Sequence, residues 1–253
     1  MKRILSCGWP LFILLGCSNP ESHSTNEKLN QVIPEIDYTV AHHGALKEIM
    51  HENKIEARVD LNAYDELEHF YALGAVEALK GEILVLDGQP YISSVGTDGL
   101  NIDISFDYRA TLLVSANVDR WIEITIPDTV KSFEALERFV AENSVSVGLT
   151  ENKPFPFLIE GTVDSLQWHV INWPEEDTIH THTKHVNSGI NERLMNETVT
   201  VLGFYSEHHH GVFTHHSTNM HMHFISESKQ KSGHVDDLFL GKKMRLKLPA
   251  VSE

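Results

Sequence analysis

The chain has 253 residues, with 36 acids against 20 bases, a formal charge of −16 and 41% hydrophobic residues. That length can bury a sizeable core in one large domain or two packed lobes. The acidic balance argues against nucleic acid as a partner, since phosphate binding draws on a clustered basic surface, and no apolar run approaches the roughly 20 residues of a membrane-spanning helix.

Lys2 and Arg3 precede an apolar stretch with Leu11, Phe12, Ile13, Leu14 and Leu15, the arrangement of an export signal. Leu14-Leu15-Gly16-Cys17 resembles the bacterial lipobox, so residues 1–17 read as a lipoprotein-type signal with Cys17 as the lipidated first residue of the mature chain. An ordinary cleaved signal with an incidental Cys17 is the plainer alternative. Cys7 lies inside the signal, which leaves the mature chain without a free thiol or a disulfide and excludes thiol catalysis. Ser18 offers no acid for inner-membrane retention, so the expected location is the periplasmic side of the envelope, with the outer membrane favoured and the lipid anchor as the sole membrane contact. Residues 18–36 are polar with little to bury and read as a flexible tether before a globular domain over 37–253.

Ala45, Leu46, Ile49 and Met50 recur at helical spacing, predicting a short helix from Gly44 to about Asn53 with His42, His43 and His51 around it. Strand patterns follow at Ala72–Val76, Gly81–Leu86 and Tyr91-Ile92, and Asp87-Gly88 between apolar runs signals a hairpin. Glu82 heads one of these runs. If buried, its carboxylate needs a partner such as a metal; a strand-end acid facing water is the plain alternative. Strands are expected over Leu112–Val114 and Trp121–Ile126, and a helix over Ser132–Glu142 with Phe133, Leu136 and Val140 as its apolar stripe. Asn152–Pro156, with two prolines, marks a boundary between lobes. Beyond it come expected strands at Phe157–Gly161, Leu166–Ile171, Val199–Tyr205 and Gly211–Thr214, with a histidine-rich loop holding His180, His182 and His185.

Seventeen histidines are present, most of them between His180 and His234, and neutral imidazole is the commonest metal ligand. In an extended Met220–Ile225, His221 and His223 point to one face while Met220, Met222 and Phe224 point to the other. Past a polar turn His234 can return on the neighbouring strand, so three imidazoles converge and leave a position open, the ligand set of catalytic zinc. A pair of surface histidines on an exposed strand is the bland alternative for the His-X-His pattern alone.

Val201-Leu202-Gly203-Phe204-Tyr205, Met220-His221-Met222-His223-Phe224-Ile225-Ser226 and Gly233-His234-Val235-Asp236 together resemble the C-terminal signature of the bacterial α-acetolactate decarboxylases. Leu73-Gly74, Gly81-Glu82-Ile83 and Leu86-Asp87-Gly88 are similar to that family's N-terminal half. The resemblance implies a mixed α/β, β-rich fold of two packed lobes, about 37–150 and 151–253, built on mixed and antiparallel sheets with a few helices. It implies one Zn2+ held by His221, His223 and His234, with Glu82 as a ligand or site carboxylate, and Glu253 as the candidate for a second glutamate that the family supplies from its C-terminal tail. Where the family carries a catalytic arginine shortly before a proline, this chain reads Trp168-His169-Val170-Ile171-Asn172-Trp173-Pro174. The arginine is missing, and His169 or a histidine of the 180–185 loop is the nearest substitute.

The implied activity is decarboxylation of a small-molecule 2-hydroxy-3-keto acid, acetolactate to acetoin, with zinc as the Lewis acid and a homodimer as the compatible assembly. The alternative on the same fold is a non-catalytic zinc-binding or zinc-buffering envelope lipoprotein, which the histidine excess and the missing arginine favour.

Overall fold

The computed structural model describes residues 38–149 and 152–251, so the expected signal, the tether and Glu253 lie outside the described residues. In chain order the elements are β1 (Ala41–His43), α1 (Leu46–Glu52), β2 (Val59–Asp60), β3 (Phe70–Val76), β4 (Glu82–Leu86), β5 (Gln89–Gly96), β6 (Gly99–Asp103), β7 (Arg109–Asn117), β8 (Trp121–Thr125), α2 (Phe133–Ser146), β9 (Phe155–Val170), α3 (His182–Asn187), β10 (Ile190–Tyr205), β11 (Met220–Ser226), β12 (Ser232–Leu240) and β13 (Arg245–Pro249). The fold is β-rich, with three α-helices among the described residues and two antiparallel sheets. No helix among the described residues is long and apolar enough to cross a membrane.

The first sheet runs β1-β7-β3-β4-β5-β6, with β2 added against β7. Both of its faces are covered, which is why β3 reads Phe-Tyr-Ala-Leu-Gly-Ala-Val without a polar residue. Tyr71, Leu73, Leu84 and Val114 face a core shared with the second sheet, while Phe70, Ala72, Ile83, Val85 and Leu113 build a cluster on the other face. Side chains along β4 alternate, so Glu82 falls on the Leu84 side and is aimed at the second sheet. The expected hairpin is present: Leu86 pairs with Gln89 across Asp87 and Gly88, whose φ angles of 50° and 77° suit the primed turn that matches strand twist.

The second sheet runs β10-β11-β12-β9-β13-β8, and β9 also pairs with β10. Strands β9, β10, β11 and β12 therefore close into a ring. The two strands expected at 157–161 and 166–171 are one, because β10 pairs with β9 from Phe155 to Val170 and a continuous ladder outweighs the break suggested by Gly161. The other edge of β9 passes from β13 at Leu158–Glu160 to β12 at Val163–His169. β8 pairs with β13 in this second sheet, so the change of sheet falls between Asn117 and Trp121, ahead of the division expected near residue 150.

Two local expectations are corrected. Gly211–Thr214 is a turn and not a strand: the amides of Val212, Phe213 and Thr214 all point at the His209 carbonyl, so local bonds consume the donors a ladder would need. The 180–185 segment, read as a loop, contains α3, which opens where the Thr181 hydroxyl accepts from the Lys184 amide. Helix α2 begins as expected, with Ser132 as its N-cap, and buries Leu136 and Val140, but it continues to Ser146.

Gly203 of β10 lies opposite Phe157 of β9, and a Cβ built there would sit 2.1 Å from the Phe157 ring. Phe157 is fully buried and has nowhere to move. Gly203→Ala is expected to cost about 1–3 kcal/mol of stability by overpacking. Exposed Met195→Ala, on the same strand, should stay within about 0.5 kcal/mol. Equilibrium denaturation of the two variants checks both values, and equal stabilities would refute the packing account.

Candidate metal centre

Antiparallel pairing of β11 with β12 sets His223 directly opposite His234, and His221 follows on the same face of β11. The nitrogens converge. His234 Nδ1 stands 3.2 Å from His221 Nε2 and 3.3 Å from His223 Nε2, and the ring centroids are 5.0–5.2 Å apart. Four ligands arranged tetrahedrally at zinc–nitrogen distances of about 2.0–2.1 Å stand roughly 3.3–3.4 Å from one another. The three histidines thus fit a metal ion on their own geometry and can hold one.

Their protonation suits that role. Burial pushes His221 down to about 4 and holds His223 and His234 well below the ordinary histidine value, so the rings are neutral near pH 7. His223 donates its Nδ1 hydrogen to the Ile83 carbonyl on β4 at 2.8 Å, which fixes the tautomer that leaves the Nε2 lone pair facing the other two rings. Nδ1 of His221 is buried without a hydrogen-bond partner.

Glu82 reaches the centre from the first sheet, as the alternation along β4 requires. Its Oε2 lies 3.6 Å from His223 Nε2, and its Oε1 accepts from the Ile171 amide at 3.2 Å. Only 5% of Glu82 is exposed, and burial raises its pKa to about 7, against the opposing pull of His169 and the Ile171 amide.

On the other side of β12, His234 pairs with His169 of β9, so His223, His234 and His169 form a row across three strands. His169 donates its Nδ1 hydrogen to the Asp236 carboxylate, at 2.9 and 3.0 Å to the two oxygens, and its Nε2 is 3.8 Å from Glu82 Oε1. Burial alone would lower its pKa; the hydrogen bond to Asp236 and the charges of Glu82 and Asp236 outweigh this and raise it above the ordinary histidine value. Asp236 owes its position to a bulge, for the β9–β12 register slips between Val235 and Asp237 and frees it from the ladder.

These groups open onto a cavity of about 440 Å³. α1 supplies Leu46, Ile49 and Met50 to its wall, and α3 and the following turns bring in His182, His185 and His215. No lysine or arginine lines it among the described residues.

Of the residues singled out in the sequence, His221, His223, His234 and Glu82 meet at one place. Of the substitutes for the arginine, His169 sits beside them, while His182 and His185 stand farther out on the cavity wall. His180 is turned away, stacked on Trp173 with a centroid distance of 4.3 Å and bonded to Asn53 and His185. Asp236 went without a role in the sequence reading, although its place two residues beyond His234 is a period-two signal for the same strand face.

The profile of the α-acetolactate decarboxylases matches residues 70–253 of the chain. No curated protein matches it in sequence. Among solved structures, the fold is similar to α-acetolactate decarboxylase from Bacillus subtilis strain 168, with a TM-score of 0.66, 17% identity, and coverage of 85% of this chain and 86% of that one. It is similar to acetolactate decarboxylase from Bacillus subtilis subspecies spizizenii, with a TM-score of 0.65, 16% identity, and coverage of 85% and 87%. A protein of unknown function from Staphylococcus aureus, described as similar to α-acetolactate decarboxylase, gives a TM-score of 0.64 at 17% identity, with coverage of 83% and 84%. At such identities these likenesses speak to fold; the profile match covers most of the chain, carries the strands that hold all four converging residues, and makes the chain a member of the α-acetolactate decarboxylase family.

Proposed function

We propose that the chain decarboxylates a 2-hydroxy-3-keto acid, 2-acetolactate to acetoin in the simplest case, at a zinc ion held by His221, His223 and His234. The observation that carries this reading is the convergence of three buried imidazoles and the Glu82 carboxyl group, with His169 beside them, at a centre whose His221, His234, His169 and Glu82 line one cavity, in a member of this family. Zinc bound there would supply a Lewis acid that stabilises negative charge on the substrate oxygens as carbon dioxide leaves.

The chain's own residues do the remainder. The bond from the substrate carboxyl to C2 breaks, its electron pair flows toward the C3 carbonyl oxygen, and one proton must then be added at C2. His169, pinned by Asp236, supplies the fixed positive group that the family takes from arginine and orients the substrate carboxylate. Glu82, with Oε2 3.6 Å from His223 Nε2, is the carboxyl group placed to deliver the proton. The apolar wall from α1 limits water at the reacting carbon.

A zinc-buffering role is not favoured. Among the described residues, both groups of three that could hold an ion are built on His234, so the surplus histidines add no separate three-ligand site.

Zinc-loaded protein is expected to form acetoin from racemic acetolactate with about one ion per chain, and His223→Ala to lose both the ion and the turnover. Undiminished turnover in that variant would remove His223 from the site. Glu82→Gln separates the two roles open to this residue. Retained zinc with kcat reduced roughly 100- to 10,000-fold marks a proton donor, whereas loss of zinc marks a ligand.

The metal-free protein carries a pH signature. Below the unfolded histidine pKa of about 6.5, the unfolded chain takes up protons that the buried, depressed rings refuse until about pH 4 for His221. Stability of the metal-free protein should therefore fall as pH drops from 6.5 toward 4. His221→Gln should flatten that fall in chelator-treated samples, and an unchanged slope would deny His221 its part in it.

A further inference from the structure

We propose that the preferred substrate of this centre carries an apolar substituent considerably larger than the methyl group of acetolactate, a conclusion that rests on the decarboxylase reading above and narrows it. The cavity holds about 440 Å³. An apolar cavity of roughly 150 Å³ accepts benzene, or about 25 Å³ per non-hydrogen atom, and on that scale acetolactate needs roughly 220 Å³. About half of the space would then remain for something else.

The walls say what that something is. Glu82, His169, His221, His234 and Asp236 cluster at the metal end, with His182, His185 and His215 on the wall contributed by α3 and the following turns. The α1 side of the lining is aliphatic, from Leu46, Ile49 and Met50 together with Leu79 and Leu112, while those three wall histidines, Ser217 and Thr218 line another part of the wall. Four of the five aliphatic residues belong to a hydrophobic cluster separate from the main core, packed with Ala75, Ile171 and Trp173. With no lysine or arginine on the wall, the substituent is not an anionic one such as a phosphate. Surfaces of this kind give bound water few partners and gain free energy when an apolar group covers them. Met50, unbranched and adaptable, lets the wall fit more than one chain length.

The specificity-determining element is therefore α1. It is held in register by the Leu46 and Lys47 amides, which donate to the Val212 and Gly211 carbonyls at 2.8 and 2.7 Å. Its C-terminus is fixed by Asn53, in the left-handed conformation at φ 51° and accepting from His180 at 2.7 Å.

The test is a series of 2-hydroxy-2-alkyl-3-oxobutanoates, from methyl to butyl, turned over by the zinc-loaded full chain. kcat/KM is expected to rise roughly fourfold per methylene, the factor equivalent to about 0.8 kcal/mol of transfer free energy. Leu46→Trp, which fills the aliphatic end, should cut the butyl-to-methyl ratio at least tenfold. A ratio at or below one in the unmodified protein would overturn the proposal while leaving the decarboxylase reading intact. The unreactive 2,3-dihydroxy-2-alkyl acids give a second readout by calorimetry. Affinity that climbs with chain length, without turnover of any keto acid, would support the aliphatic subsite and sink the decarboxylase reading; affinity independent of length would sink the subsite.

Discussion

The register that aligns β11, β12 and β9 is the constraint on which the centre depends. A strand that slips by one residue sends every side chain to the opposite face, so a slip of β12 against β11 would turn His234 away from His221 and His223. The ring formed by β9, β10, β11 and β12 guards against this, because a slip at one pairing must be absorbed by the other three. The long β9–β10 ladder anchors that ring, and Gly203 beneath the Phe157 ring lets the two strands come close enough to form it. The histidine row is thus a property of closure more than of any one hairpin.

Burial then divides the work among residues of the same type. Desolvation holds His221, His223 and His234 below the ordinary histidine value, the neutral form a metal ion requires of any imidazole it binds. His169 is also buried, but Asp236 and Glu82 stand beside it and tip the balance toward the cation. The opposite directions of these shifts are therefore electrostatic in origin and trace to the bulge that releases Asp236.

The centre also joins the two sheets. Glu82 and the Ile83 carbonyl come from β4, whereas the imidazoles come from β11, β12 and β9. The two sheets share one hydrophobic core, which includes Leu73, Leu84 and Val114 of the first and Ile225 of β11 in the second. Damage to that core would shift Glu82 relative to the histidines without touching any group in the site.

Much was legible in the chain itself. The His-X-His alternation, the Asp87-Gly88 turn and the apolar stripe of α2 are local patterns with short-range causes, and the structure keeps each of them. Glu82 as a carboxylate at the head of an apolar run was a visible anomaly. Other features were not legible. That β9 is one strand, that Gly211–Thr214 wraps around a carbonyl, and that β8 joins the second sheet all depend on where hydrogen bonds find partners far away in sequence. His169 was noticed as a substitute for arginine, but its raised pKa needs Asp236, which is 67 residues distant and placed by a bulge. Sequence alone determined which residue types could meet and on which face of a strand each lies, since the two-residue period is local. Only the tertiary structure decided which faces were brought together and which histidine has its pKa raised, because register, closure and burial belong to the whole chain.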